Sequence, residues 1–180
     1  MLVNTREQMQ RLNAARLQAD VMGCDLVLVA RTDAFSASFI DTNIDPLDHP
    51  YILGVADPND TTLLMTFPNA GLKAINETFK NQSRIDKISK LWNQNCTNMS
   101  LLQAREYAKE LGFDFYFDWE ACRSEEGYYK IDGNLEYCVK RGVKFAEVAD
   151  LLWMETPRPD LELAKGFADG VHAAKPHQML

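Results

Sequence analysis

Two apolar runs, each stopping on charge, restrict this chain more than any other feature of it. In DLVLVARTDA, residues 25–34, the run 26–30 ends abruptly in Arg31, Thr32 and Asp33. In ADLLWMETP, residues 149–157, the run Leu151–Met154 gives way to Glu155 and Thr156 before a proline. A short run rich in Val and Leu, with Gly23 ahead of it, suits a strand buried on both faces. Charge delivered at the C-terminal end of such a strand suits the water-filled mouth of an α/β enzyme.

Helical periodicity surrounds both runs. Thr5 with Gln8 makes a capping box, and Met9, Leu12, Ala15, Ala19 and Met22 recur at helical spacing until Gly23 offers a stop. Leu135, Cys138, Val139 and Val143 mark a second helix ahead of the second run. After it, Pro159 suits a first helical turn, Asp160 and Glu162 complement the helix dipole, and Leu161, Ala164, Ala168 and Val171 form a buried stripe. Helix, strand, helix, strand, helix implies parallel strands joined by crossovers. Residues 55–119 break this rhythm, and a structureless loop of that length does not belong in a compact domain, so the segment is an insertion with structure of its own. Within it SLLQAREYAKELG reads as a helix stopped by Gly112, and FDFYFDW alternates like a strand.

Composition bounds the function. With 46% hydrophobic residues over 180 positions the chain can fill a core. A formal net charge of −7, with Lys and Arg scattered, argues against nucleic acid or an anionic membrane as the main partner. The aromatics Phe113, Phe115, Tyr116, Phe117 and Trp119 therefore read as packing rather than a base-stacking platform. No apolar run approaches the roughly 20 residues needed to cross a bilayer, and MLVNTREQMQ lacks the apolar core of a signal peptide, so an intracellular protein is expected. Cys24, Cys96, Cys122 and Cys138 form no C-x-x-C pair and have no nearby His at zinc spacing, which reads as reduced, mostly buried thiols. Sequons starting at Asn59, Asn76, Asn81, Asn95 and Asn98 matter only in a secreted chain.

On residue chemistry alone, Arg31 is an always-ionised fork able to hold a carboxylate or phosphate in two parallel hydrogen bonds, or else one half of a structural pair with Asp33. Glu155 can act as an acid or base, contact a metal-bound water, or orient Arg31; Trp153 can wall a pocket or simply pack. His49 reads as a turn residue, and His172 and His177 lie beyond the strand ends.

The strings ADVMGCDLVLVARTDA, IDPLDHPYILG, FDWEACRSEEGYYK and ADLLWMETPRPDLELAKGFADGVHA, in this order, closely resemble the isocitrate lyase family of the phosphoenolpyruvate mutase superfamily. The likeness covers almost the whole chain. AGLKAINETF and AREYAKELGFDFYFDWEACRSEEGYY resemble the extra helical segment of the longer, eukaryotic-type members, with Cys122 where a proline is usual. The resemblance implies an α/β fold that is an incomplete portion of a (β/α)8 TIM-type barrel with a mostly helical insertion. Residues 1–54 and 120–180 are then barrel segments and 55–119 the insertion. It further implies Mg²⁺-assisted cleavage of isocitrate to succinate and glyoxylate, with 2-methylisocitrate as the alternative substrate. Arg31 matches the substrate-binding arginine and Glu155 the site glutamate, with Trp153 beside it.

A barrel of this type takes about 250 residues, so the chain is expected not to close one. The family's K-K-C-G-H loop is expected just before Leu2, its S-P-S-F-N-W motif just after Leu180, and its metal ligands outside this chain. Isolated, the chain is then expected to be inactive. A non-catalytic protein associating with other subunits through unpaired strand edges is the competing reading. The resemblance also implies a homotetrameric parent, located in the cytoplasm or in a glyoxysome or peroxisome.

Overall fold

The computed structural model describes residues 1–180. In chain order its elements are α1 (Thr5–Met22), β1 (Val29–Thr32), β2 (Phe39–Ile40), β3 (Leu53–Val55), β4 (Leu64–Thr66), α2 (Phe67–Thr78), α3 (Gln82–Asn95), α4 (Leu101–Leu111), β5 (Tyr129–Lys130), α5 (Leu135–Phe145), β6 (Leu151–Met154) and α6 (Leu161–Ala174). Two compact units emerge, residues 1–38 with 133–180, and residues 39–132. The boundaries expected at 54/55 and 119/120 from the break in rhythm and the family resemblance fall within the second unit, where β2 pairs with β5 and β3 with β4, and Ile52 bridges to Ile131. No helix is long and apolar enough to cross a membrane.

In the first unit β1 and β6 lie side by side and parallel, with Val29, Ala30, Arg31 and Thr32 opposite Leu151, Leu152, Trp153 and Met154. The parallel pairing expected from the element order is therefore present. The first strand is displaced from the run that announced it, occupying 29–32 rather than 26–30. Its start is set by hydrogen bonds rather than by hydropathy. Asp150 Oδ2 accepts from the Leu28 amide at 2.7 Å, and the Leu28 carbonyl accepts from the Asp150 and Leu151 amides. Burial on both faces is not observed either. Ala30, Thr32 and Leu152 are buried, and α5 packs against both strands, whereas Val29 and Trp153 are 49% and 52% exposed. Leu26 and Val27, ahead of the strand, are exposed too.

The helices of this unit keep their expected places with altered ends. Asn4, not Thr5, caps α1 by accepting from the Glu7 amide at 3.0 Å. Thr5 is instead fully buried, and its hydroxyl accepts from Arg141 of α5 at 3.1 Å. Gly23 closes α1 at φ 64°, a left-handed conformation that glycine adopts without strain. Asp160 caps α6 by accepting from the Glu162 and Leu163 amides, so Pro159 precedes the helix rather than opening it. Of the expected stripe of α6 only Val171 is buried: Ala168 is half-buried, Ala164 and Leu161 are exposed, the latter at 81%, and Phe167 takes a buried position. Helix α6 comes close to α5 at Gly170, where a Cβ would stand 2.7 Å from Val139 Cγ2.

The second unit is built on α2, α3 and α4 around Trp92, which is fully buried and donates its indole N–H to the Pro68 carbonyl at 2.8 Å. Phe113 and Phe115 meet it edge-on, with centroids 5.3 and 5.6 Å away. Ser100 and Gln103 form the capping box of α4, and Gly112 ends it. FDFYFDW keeps its alternation, with Phe113, Phe115 and Phe117 buried and Tyr116 exposed. It does not form a strand, since its one ladder contact is the bridge from Asp118 to Val55. Phe113, Phe115, Phe117 and Trp119 pack in or against the core, while Tyr116 does not. Cys96, Cys122 and Cys138 are buried free thiols and Cys24 is an exposed one.

Candidate functional site

The C-terminal ends of β1 and β6 bring together the three residues singled out from sequence. Register places Arg31 directly beside Trp153, and the guanidinium carbon sits 4.9 Å from the centre of the Trp153 ring. Glu155 follows the last residue of β6, and its amide donates to the Thr32 carbonyl at 3.0 Å, extending the ladder by one step. Its carboxylate lies 3.5 Å from Arg31 Nη1. Asp33 comes closer: its Oδ1 accepts from Arg31 Nε at 2.7 Å.

Local structure explains why these groups meet. Alternation along β1 turns Ala30 and Thr32 toward the helices and Val29 and Arg31 toward the uncovered face. A tight turn follows, in which the Asp33 carbonyl accepts from the Ser36 and Ala37 amides and Thr32 Oγ1 from the Ala34 amide. Gly133 seals the turn from outside, where a Cβ would stand 2.7 Å from the Ala34 carbonyl. Asp33 is thus held by its own backbone, while Arg31 is held by side chains. The Asp33 hydrogen bond is the main reason the Arg31 guanidinium is shifted further toward its charged form, with Asp33 and Glu155 charges adding to it. Sequence reasoning treated Asp33 only as a structural partner of Arg31; the available signal was its spacing of two residues.

A cleft of about 700 Å³ adjoins the cluster, walled by Trp153, Met154, Leu161, Phe167 and Leu180. It is mainly apolar, and neither Arg31 nor Glu155 lines it. His49 begins the turn His49–Tyr51 in the second unit, and His172 Nε2 lies 2.9 Å from the Gln178 carbonyl.

The C-terminal ends of parallel strands are where α/β enzymes of many kinds carry their sites, and comparison with known proteins narrows the choice. The profile of the isocitrate lyase family matches residues 1–76 and 59–180. The chain belongs to the isocitrate lyase family. Isocitrate lyase from Oryza sativa subsp. japonica is 38% identical across 100% of this chain and 38% of its own length. Isocitrate lyase from Kluyveromyces lactis is 35% identical across 97% of this chain and 38% of its own length. A mitochondrial 2-methylisocitrate lyase from Hypocrea atroviridis is 32% identical across 100% of this chain and 37% of its own length. The chain therefore spans less than two fifths of the length of these curated relatives. Within this isocitrate lyase family chain, no three His, Cys, Asp or Glu side chains converge to hold a metal ion. The carboxylates of Asp33 and Glu155 both pair with Arg31.

Proposed function

We propose that this chain supplies one sector of a (β/α)8 barrel in an isocitrate lyase, with Arg31, Trp153 and Glu155 forming a wall of the substrate site. The observation that supports this reading is the Arg31 guanidinium laid over Trp153 between Asp33 and Glu155 at the mouth end of two parallel strands. That is where barrel enzymes place their chemistry.

The reaction is cleavage of isocitrate to succinate and glyoxylate, in the glyoxylate cycle. Arg31 takes a substrate carboxylate on its guanidinium edge, and Trp153 fixes the plane of the fork through its ring face. Cleavage needs a proton taken from the hydroxyl on the carbon that becomes the glyoxylate aldehyde. The electron pair of the broken C–C bond passes to the neighbouring succinate carbon, which then takes up a proton. Glu155, only loosely paired with Arg31, is the candidate acid or base. Mg²⁺ would supply a Lewis acid at the glyoxylate oxygens. The residues of this chain do not fit such a site, so its ligands come from other segments of the assembled enzyme. That enzyme is a homotetramer in the cytoplasm, or in a glyoxysome or peroxisome. Since positioning and charge stabilisation from several strand ends act together in such a reaction, the chain alone is expected to release no glyoxylate.

Two observations favour other readings. The Hypocrea relative is named for 2-methylisocitrate, and the exposed Val29–Trp153 face favours a non-catalytic role in subunit association. One experiment separates all three: an Oryza enzyme in which the matching segment is replaced by residues 1–180. Glyoxylate from isocitrate supports the reading; release of succinate and pyruvate from 2-methylisocitrate instead moves the assignment to that substrate. A folded, assembled chimera that cleaves neither contradicts a catalytic role.

A further inference from the structure

We infer that Asp33 is a positioning residue for Arg31, holding the guanidinium so that its terminal edge faces the mouth. The inference rests on the substrate-site reading above. Arg31 offers hydrogen-bond donors on Nε, Nη1 and Nη2. Asp33 takes Nε at 2.7 Å, Trp153 covers one face at 4.9 Å, and Glu155 stands 3.5 Å from Nη1. The side-on edge, made of Nε and Nη2, is therefore already engaged. What remains for an incoming carboxylate is the end-on edge made of Nη1 and Nη2, the second geometry in which guanidinium binds a carboxylate bidentately.

The division of labour between the two carboxylates follows from their anchoring. Asp33 is seated on a turn closed by two backbone hydrogen bonds to its own carbonyl, so it can impose an orientation on a long side chain. Glu155 makes the longer contact, at 3.5 Å. It can leave Arg31 for substrate without freeing the guanidinium to rotate. The pairing of Arg31 with Asp33 and the binding of an anion by Arg31 are thus compatible, and the first prepares the second.

Charge alone predicts the opposite effect, which makes the inference testable. A carboxylate beside an anion site repels the anion, so removing it should tighten binding if orientation plays no part. The probe is oxalate, a stable two-carbon dicarboxylate, titrated into the 180-residue chain and into D33A, D33N and E155Q, with Arg Nε–H and Trp153 indole resonances read in the same samples. The positioning role predicts that D33A moves the Arg31 Nε–H resonance to that of solvent-exposed arginines and weakens oxalate by about two- to tenfold, the cost of immobilising one rotamer-rich side chain. D33N keeps an acceptor oxygen and removes the repulsion, so it should bind at least as tightly as the parent. E155Q should leave the Nε–H resonance in place. Oxalate binding to D33A as tight as or tighter than to the parent overturns the positioning role, as does loss of the Nε–H resonance in E155Q instead. Absence of oxalate binding by the parent chain sinks the substrate-site reading first, and the positioning role with it.

Discussion

The two ends of the β1–β6 pair carry the same chemical inventory, an arginine against carboxylate, and use it in opposite ways. At the N-terminal end Arg16 donates to the Leu26 and Val148 carbonyls at 3.0 and 3.2 Å and to Asp150 at 2.5 Å. Asp150 in turn accepts from the Leu28 amide. At the C-terminal end Arg31 meets only side chains. An arginine whose donors are spent on the main chain holds strands in register. One held by side chains keeps an edge free for something else. Side-chain exposure agrees, at 29% for Arg16 and 46% for Arg31. The N-terminal face of a parallel strand pair is where stability is expected and the C-terminal face is where chemistry is expected.

Substitution at each end should move a different observable. The largest effect is expected from R31K in the Oryza chimera. Lysine keeps the charge but loses the bidentate fork, so kcat/KM should fall about ten- to a hundredfold, the worth of a charge-assisted hydrogen bond. Its thermal midpoint should stay near that of the parent chimera. Steady-state kinetics beside a thermal melt checks both halves; a lowered midpoint with unchanged kcat/KM would mean that Arg31 is structural.

R16L reverses the pattern. Two hydrogen bonds to backbone carbonyls disappear, at about 1 kcal/mol each, which for a chain of this size is roughly 4–8 °C in thermal midpoint. Oxalate affinity of the folded chain should not change. The same end should respond to acid. The Leu28 amide and Arg16 hold the Asp150 carboxyl below the usual carboxylate range. A depressed folded value means stability that is present above the unfolded value and lost as pH falls through the folded one. D150N should therefore flatten the acid limb of a stability–pH curve, and an unaltered limb would remove Asp150 from the account.

The smallest effect is expected away from both strand ends. His49 Nδ1 accepts from the Leu101 amide at 3.1 Å at the start of α4, while Nε2 lies 2.7 Å from the Asn43 carbonyl. Burial lowers its basicity, against the Asn43 hydrogen bond and the charges of Asp48 and Asp45, which raise it. Protonation would turn Nδ1–H toward the Leu101 N–H. With the folded value below the unfolded 6.5, the unfolded state binds more protons in that window, so stability falls as pH drops below about 6.5. H49Q should remove this slope in a denaturation series between neutral and mildly acid pH. Oxalate binding through Arg31, which does not titrate there, should be indifferent to it.

How far the sequence reached follows the same contrast. Elements set by local chemistry were legible: helical spacing and the Gly112 stop marked α4, and Leu151–Met154 is β6 as its hydropathy indicated. Elements set by distant partners were not. The start of β1 depends on Asp150, more than a hundred residues away, and no periodicity of 26–30 records that bond. FDFYFDW alternates because its phenylalanines enter the core around Trp92, a demand that mimics a strand without a ladder. At the site, Arg31, Trp153 and Glu155 were legible as types at strand ends, and the structure brings them together. Asp33 was visible but ambiguous, because a spacing of two residues fits an inert pair as well as a support. Only the hydrogen bond to Nε, rather than to the terminal nitrogens, separates those roles.

The most direct test of the account is an oxalate titration of the parent chain and R31K, followed at the arginine side chains and the Trp153 indole. The account predicts saturable shifts at Arg31 and Trp153 in the parent, none at Arg16, and loss of the shifts in R31K while the thermal midpoint holds. Equal binding by R31K, or shifts centred on Arg16, would contradict it.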